Sequence, residues 1–197
     1  MYKLCKTEQS ATRQKLIETA LLDKMKSKRF EDISVSELCE ALSMPRKAFY
    51  RYFDSKDGAL RALLDHTLAD FQHFGSAYTN YEQRSLARDL EQFFLFWLQR
   101  REMLDAFEKS NLTGLLIQSS LQYSISDHIN PRKFLPEESD WMRSQVFLFA
   151  ISGLMTSMLE WYRRGFCEST RSMAEAACRM LSAPLFPTLE RLGLIEK

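Results

Sequence analysis

Apolar residues recur at spacings of three and four along most of this chain, and that spacing constrains the fold more than any other feature. In the first segment the residues with this spacing are Leu16, Ile17, Ala20, Leu21 and Met25. This is the period of one face of an α-helix. No segment shows the sustained alternation of apolar and polar residues that indicates a strand. The sequence therefore predicts an all-α protein.

Capping and turn residues divide this pattern into separate helices. Ser34 and Glu37 stand three apart before an apolar run, as in a capping box. Gly165 follows a long apolar segment and is typical of a residue that ends a helix. A loop is expected at 126–137, which holds two prolines, and one more short helix after 184. We expect the main helices at about 10–27, 35–42, 45–53, 56–74, 86–100, 102–109, 113–125, 138–164 and 169–181.

Basic residues are more frequent at the amino end of the chain. Residues 1–58 hold 12 Lys or Arg against 9 Asp or Glu, whereas residues 59–197 hold 15 against 17. A basic head on a mildly acidic body is compatible with nucleic-acid contact by the head, although random scatter explains the charges equally well. The helices beyond Gly75 are also longer and more apolar. We refer to residues 1–58 as the head and to residues 59–197 as the body.

The stretch PRKAFYRYFDSK, residues 45–56, interleaves cations and aromatic rings. A helix turns about 100° per residue, which separates the two kinds of side chain. The side anchored by Phe49 and Phe53 is expected to pack against the two preceding helices. The other side carries three cations and a phenol: Arg46, Lys47, Tyr50 and Arg51.

Two short helices joined by a four-residue turn are the arrangement of a helix-turn-helix, whose second helix enters the DNA major groove. Arg46 is placed to donate to guanine O6 and N7, and Lys47 to a base or a phosphate. Tyr50 and Arg51 suit phosphates or base edges. Lys56 begins the next helix, where free backbone amides also favour a phosphate. On periodicity alone, an ordinary solvated basic face is an equally good interpretation.

The run from Thr12 to Leu64, with ISVSELCEALSM followed by PRKAFYRYFDSKDGAL, resembles the N-terminal domain of the TetR family of bacterial transcriptional regulators. The resemblance implies two domains. The first, 1–58, is a three-helix DNA-binding domain, and a long fourth helix joins it to a C-terminal helical domain, 59–197, that binds a ligand and dimerises. The resemblance makes Tyr50 a phosphate contact and Lys56 the family's helix-four lysine. It also implies that Ser36, at the start of the second helix, touches the DNA backbone.

Three residues depart from the family pattern. Ser43 stands where a turn glycine is usual, so a left-handed backbone at this position is energetically less favourable than with glycine. Lys47 replaces a glycine found in many members and is expected to alter which operator is read. Cys39 replaces a small alanine of the core.

The resemblance further implies a homodimer on a palindromic operator, because the family pairs its last two long helices across two subunits. Two copies spaced by about one DNA turn also double the contacts of one short recognition helix. The small residues of these helices are also compatible with packing inside one chain. The expected interface residues are Phe149, Ser152, Gly153, Thr156, Ala174 and Ala177.

Family members bind a small effector in the second half, where this chain concentrates its aromatic residues. Effector pockets are largely apolar with few polar groups, so the expected effector is apolar or aromatic, although a ring-rich helix is also typical of plain core. Effector binding would change DNA affinity through the fourth helix, most simply as release of a repressor. The expected pocket residues are Phe94, Trp97, Phe107, Gln118, Gln122, Tyr123, Trp141 and Phe147, and His128 is a further polar candidate.

An alternative is a DNA-binding regulator controlled by a protein partner or by oxidation of Cys167 or Cys178. An enzyme is not expected, since the sequence has no nucleophile elbow, phosphate loop or metal-helix motif. For the same reason we expect neither a metal nor a cofactor. The apolar runs are too short to span a bilayer and the N-terminus lacks a signal peptide, so a cytoplasmic protein without a membrane partner is expected.

Overall fold

The computed structural model describes residues 2–3, 7–76, 85–125 and 139–182, and every regular element within these ranges is helical. The expected all-α fold is confirmed, and the helix ends lie within about two residues of their predicted positions, except in the third helix. The loop expected at 126–137, His128 and the helix expected after 184 lie outside the described residues. The elements are α1 (Glu8–Ser27), a 3₁₀ turn (Phe30–Asp32), α2 (Val35–Ala41), α3 (Arg46–Phe49), α4 (Lys56–Ser76), α5 (Leu86–Leu98), α6 (Arg101–Lys109), α7 (Thr113–Ile125), α8 (Asp140–Arg163) and α9 (Thr170–Ser182).

The helices form two compact units, the first of which consists of Met1–Asp70 and Arg100–Ile129. Within it α1 packs against α2 and α6, and α2 packs against α3. Burial of each large apolar side chain contributes roughly 2 kcal/mol to the hydrophobic free energy of folding. The fully buried side chains of this core include Ile17, Leu21, Met25, Leu38, Phe49, Phe53, Leu64, Leu104 and Phe107.

The second unit consists of Phe71–Gln99 and Asn130–Lys197. Here α5 packs along α9 and also contacts α8. The ring centroids of Phe94 and Trp161 lie 5.6 Å apart, edge to face, and those of Phe71 and Phe96 lie 5.1 Å apart. This geometry is favoured because the positive edge of one ring meets the negative face of the other. The functional boundary expected after residue 58 is a different division from these units and stays a prediction.

Three described helices end in the same turn, in which the residue after the C-cap has a left-handed backbone. After α2, Ser43 has a φ of 48°, and the amides of Ser43 and Met44 donate to the carbonyls of Glu40 and Cys39. Asn111 and Gly165 hold the equivalent positions after α6 and α8, with φ of 55° and 76°. The helix end predicted at Gly165 is confirmed, and Ser43 does adopt the conformation that glycine adopts more easily.

Candidate nucleic-acid interface

The helix-turn-helix is built from α2, the turn at Ser43 and α3. Ser34 Oγ accepts from the Glu37 amide at 3.2 Å, and the Glu37 carboxylate accepts from the Ser34 amide at 2.8 Å. The predicted capping box is therefore confirmed. Lys28 also donates to this carboxylate, and its hydrogen bond, followed by those of Ser34, lowers the pKa of Glu37 to about 2.

The third helix is shorter than predicted. Its α-helical part ends at Phe49, and residues 50–53 continue as a tighter turn in which the Tyr52 amide donates to the Phe49 carbonyl at 2.9 Å. The Tyr52 carbonyl accepts from the Lys3 amide at 3.0 Å instead of continuing the helix. This tertiary hydrogen bond is a contact that helical periodicity does not reveal.

The recognition face, which we define as Arg46, Lys47, Tyr50 and Arg51, is exposed to solvent as a whole. Arg46 Nη2 donates to Tyr50 Oη at 3.3 Å, which places the two side chains one helical turn apart on the same side. Beneath them Ala48 is 8% exposed and Phe49 is fully buried. The separation into an outward cationic side and an inward apolar side agrees with the sequence analysis.

Lys56 occupies a different environment from the one expected. Its Nζ donates to the backbone carbonyls of Phe30 at 2.5 Å, Glu31 at 3.1 Å and Ile33 at 2.6 Å. The ammonium also lies 4.4 Å from the centroid of the Phe30 ring. Because an ammonium has three donors, these contacts engage all of them inside the protein. The geometry supports a structural role for Lys56, and its phosphate contact stays a prediction.

Ser36 is the second residue of α2 and is partly exposed. Ser36 lies at the amino end of a helix, where the first backbone amides have no intrahelical acceptor and can donate to phosphate oxygens. This position is therefore compatible with a phosphate contact. The contact with DNA expected of Ser36 stays a prediction.

The N-terminal residues Tyr2 and Lys3 were not singled out from the sequence. Tyr2 pairs with Phe53 through an isolated antiparallel bridge, and its hydroxyl donates to Asp65 Oδ2 at 2.9 Å. Burial and the bond to Asp65 raise the pKa of Tyr2. Lys3 Nζ lies 3.5 Å from the Tyr50 carbonyl oxygen. The only sequence signal for Lys3 was a cation near the amino end of the chain. Its contacts with Tyr50 and Tyr52 join residues about fifty positions apart, which sequence spacing does not reveal.

The eight residues expected to form an effector pocket are not assembled within either unit. Phe107, Gln118, Gln122 and Tyr123 belong to the first unit, and the others belong to the second. Phe94, Trp97 and Phe107 are at most 1% exposed and lie in the cores. Gln122 is exposed and accepts from Arg61 at 2.5 Å. This pocket stays a prediction.

Exposed apolar side chains are concentrated on α8 and α9. Phe149 is 68% exposed and Met180 is 66% exposed. A groove of about 440 Å³ separates the two helices, and a Cβ built on Gly153 meets no described atom within 4 Å. The α8–α9 face, as we name this surface, is lined by Val146, Phe149, Gly153, Met180 and Leu181.

The expected dimer residues are divided by this geometry. Phe149, Gly153 and Thr156 are exposed and Ser152 is half-buried. Ala174 is 2% exposed and Ala177 is 9% exposed, so their small size already serves the packing of α9 inside the second unit. The interface itself stays a prediction.

Cysteines and metal-ligating residues add no second site within the described ranges. Cys39 is buried, and burial raises the pKa of its thiol. Cys178 is half-buried and Cys167 is exposed. Among the described residues, no three His, Cys, Asp or Glu side chains are grouped so that they could hold a metal ion.

Comparison with known proteins connects this geometry to regulators of transcription. No family model matches the chain. A curated protein, the HTH-type transcriptional regulator EthR of Mycolicibacterium smegmatis, is 33% identical over 88 residues, which cover 43% of this chain and 37% of that protein. The alignment therefore spans little more than a third of the curated relative's length.

Solved structures with similar folds cover most of the chain. A tetR-family transcriptional regulator from Streptomyces coelicolor superposes with a TM-score of 0.60 at 19% identity, over 91% of this chain and 87% of that one. The fatty acid degradation regulator FadR from Bacillus halodurans gives 0.57 at 12% identity, over 92% and 98%. The dihydroxyacetone kinase operon activator DhaS gives 0.54 at 18% identity, over 93% and 98%. The chain is therefore similar in fold to a tetR-family transcriptional regulator and, over 88 residues, similar in sequence to a transcriptional regulator of the helix-turn-helix type.

Proposed function

We propose that the protein regulates transcription by binding a palindromic DNA operator as a homodimer through its recognition face. The observation that carries the proposal is the exposure of three cations and one phenol on the second helix of a helix-turn-helix and on the turn that continues this helix. The curated relative is itself named a transcriptional regulator of the helix-turn-helix type. A regulator of bacterial transcription acts on the chromosome, so we place the protein in the cytoplasm.

The recognition face divides into base-reading and backbone-binding parts. Arg46 at the start of α3 reads guanine through two parallel hydrogen bonds, and Lys47 beside it reads a second base. Tyr50 and Arg51 lie one turn later and bind phosphate oxygens, which fixes the register of α3 on the duplex. The hydrogen bond from Arg46 to Tyr50 at 3.3 Å preorganises both side chains in the free protein.

Selection of bound DNA from a random pool tests this assignment. We expect the wild type to enrich a palindrome, and Arg46→Ala and Lys47→Ala to lose about 1–3 kcal/mol of discrimination at one position in each half-site. Arg51→Ala should weaken binding to all sequences alike. As a matched control, Lys26→Gln removes an exposed cation whose ammonium pairs with Asp23 and Glu102 and should leave the palindrome unchanged. Equal binding of all pool sequences by the wild type would contradict the proposal.

The second copy of the dimer is proposed to cover the α8–α9 face. Exposed apolar surface of this kind favours association, because its removal from water is favourable by roughly 25 cal/mol per Å². By length and composition α8 is also a candidate membrane span. One side of α8 is, however, already packed inside the second unit through Met155, Met158 and Leu159. We therefore assign its exposed side to a second protein copy.

We further propose control by a small apolar or aromatic effector. An effector changes DNA affinity only by as much as it favours one conformation of the protein over another. The proposed element of transmission is α4, which runs from Lys56 to Ser76 and contributes residues to both compact units. Operator position then decides between the repression that we expect and activation, the role named for one protein of similar fold.

A thermal-shift screen of metabolites tests effector control. A ligand present at 100 times its Kd should stabilise the protein by about 2.7 kcal/mol. The same ligand should then change the affinity for the selected palindrome. DNA affinity that stays constant at saturation with every stabilising ligand would contradict effector control and favour a protein partner.

A further inference from the structure

We propose that Lys3 is an additional DNA contact, binding a phosphate beside the last turn of the recognition face. The proposal rests on the proposed function and adds to it a residue that lies 43 positions before Arg46 in the chain. Two groups of contacts carry the argument. One group fixes the backbone of Tyr2 and Lys3, and the other places the Lys3 side chain.

The backbone of Lys3 is held from both sides. Its amide donates to the Tyr52 carbonyl at 3.0 Å, and its carbonyl accepts from Gln14 Nε2 at 3.2 Å. Gln14 is only 2% exposed, so the second hydrogen bond is anchored in the core. Residue 3 is therefore attached both to α1 and to the turn that follows α3.

Tyr2 strengthens this attachment through its side chain. Its hydroxyl donates to Asp65 Oδ2 at 2.9 Å, and its ring meets the ring of His66 edge to face at 5.9 Å. Both partners lie on α4. The segment formed by Tyr2 and Lys3 thus connects α4 with the turn that follows α3. This connection limits the positions that the Lys3 side chain can reach.

The Lys3 side chain is exposed and lies beside the backbone of the turn that carries the end of the recognition face. Its Nζ is 3.5 Å from the carbonyl oxygen of Tyr50, and the side chain of Tyr50 belongs to that face. A cation is favourable at the carboxyl end of a helical turn, where carbonyls carry partial negative charge. Among the described residues this contact uses one of the three donors of the ammonium, which leaves others for a phosphate oxygen.

A phosphate also explains why a fourth cation is placed here. Lys3 adds a positive charge beside the backbone of Tyr50, in the segment that also carries Arg46, Lys47 and Arg51, and like charges repel each other in the free protein. A DNA backbone neutralises such a cluster and releases condensed counterions. A lysine binds phosphate as a point charge without the planar geometry that base reading requires. Lys3 should therefore add affinity without sequence preference.

The salt dependence of binding tests the proposal. The affinity for the selected palindrome is measured at several salt concentrations for the wild type, Lys3→Gln, Lys3→Arg and the control Lys26→Gln. Each lost phosphate contact reduces the slope of log affinity against log salt by about 0.9 per copy of the site. When the salt concentration is raised from 50 to 200 mM, the affinity of Lys3→Gln should therefore fall by a factor about threefold smaller, per copy of the site, than the affinity of the wild type. Lys3→Arg and Lys26→Gln should keep the wild-type slope.

The outcomes separate this proposal from simpler roles. A Lys3→Gln protein that is less stable in thermal unfolding but has the wild-type salt slope would show that Lys3 only caps the turn, and would overturn the proposal. Loss of sequence preference in Lys3→Gln would also overturn it, since that result would indicate base reading. A wild type that binds DNA without salt dependence or preference would overturn the proposed function as well.

Discussion

Ser43 adopts a left-handed backbone, φ 48°, at the turn between the two helices of the helix-turn-helix. A residue with a Cβ pays about 1–2 kcal/mol to adopt this backbone conformation, and glycine avoids that cost. Glycine also makes the unfolded chain more flexible, which offsets part of the gain in folding free energy. We expect Ser43→Gly to raise the free energy of unfolding by about 0.5–1 kcal/mol in denaturant titration. Asn111, with φ 55° in the same type of turn, is the matched control. Because Asn tolerates this region, Asn111→Gly should gain less. An equal or larger gain at Asn111 would contradict the explanation.

His66 gives the protein a pH-dependent ion pair. Its Nδ1 lies 2.9 Å from a carboxylate oxygen of Glu18, a residue only 2% exposed. This hydrogen bond raises the pKa of His66 above 6.5, against the opposing effects of burial and of nearby Lys15. Tyr2 and Asp65 also face the imidazole, and Asp65 favours its charged form.

A group with a raised folded-state pKa stabilises the fold fully below its unfolded pKa, and this stability is lost as pH rises through the folded value. The thermal midpoint of the wild type should therefore fall as pH rises from about 6 through the raised folded-state pKa. His66→Gln should remove this component of the pH dependence, whereas His73→Gln, a change at an exposed histidine of the same helix, should retain it. A wild-type slope in His66→Gln would assign the effect to another group.

At the scale of elements, α2 depends on the capping box at its start, because a helix of seven residues is too short to be stable alone. Ser34→Ala removes the side-chain oxygen that accepts from the Glu37 amide and should cost about 1 kcal/mol of stability. Ser36→Ala changes the same residue type two positions later and should leave the free energy of unfolding nearly unchanged. Denaturant titration measures both. Equal losses would show that Ser34 acts through something other than the cap.

At the scale of the whole molecule, the α8–α9 face should determine the oligomeric state. A stable interface buries about 800 Å² on each partner and has an apolar centre. Phe149→Glu would bury a charge there without a partner, so we expect the dimer Kd to rise by about 100-fold or more. Sedimentation of the protein measures the dimer Kd, and titration of the protein into DNA with a whole or a half palindrome shows whether two copies bind together. Leu16→Glu, a matched change at an α1 residue that is 53% exposed, should leave the dimer intact. A Phe149→Glu protein of wild-type size would place the interface elsewhere.

The helix boundaries other than those of α3, the capping box and the two sides of the recognition helix were predictable from sequence, because they depend on neighbours within about four residues. Ser34 and Glu37 are three apart, and Arg46 and Tyr50 are four apart. Hydrogen bonding and side-chain direction at that range follow from helix geometry alone. The amino-acid sequence by itself therefore determines the fold class and the composition of the recognition face.

Contacts between distant parts of the chain were decided only by the tertiary structure. The ammonium of Lys56 binds carbonyls 23 to 26 residues away, and that of Lys3 lies beside a carbonyl 47 residues away. Ala174 packs inside its own unit, whereas Phe149 on the neighbouring helix α8 is exposed. Sequence spacing carries no information about such pairs, because they form only after hydrophobic burial has fixed which helices lie side by side.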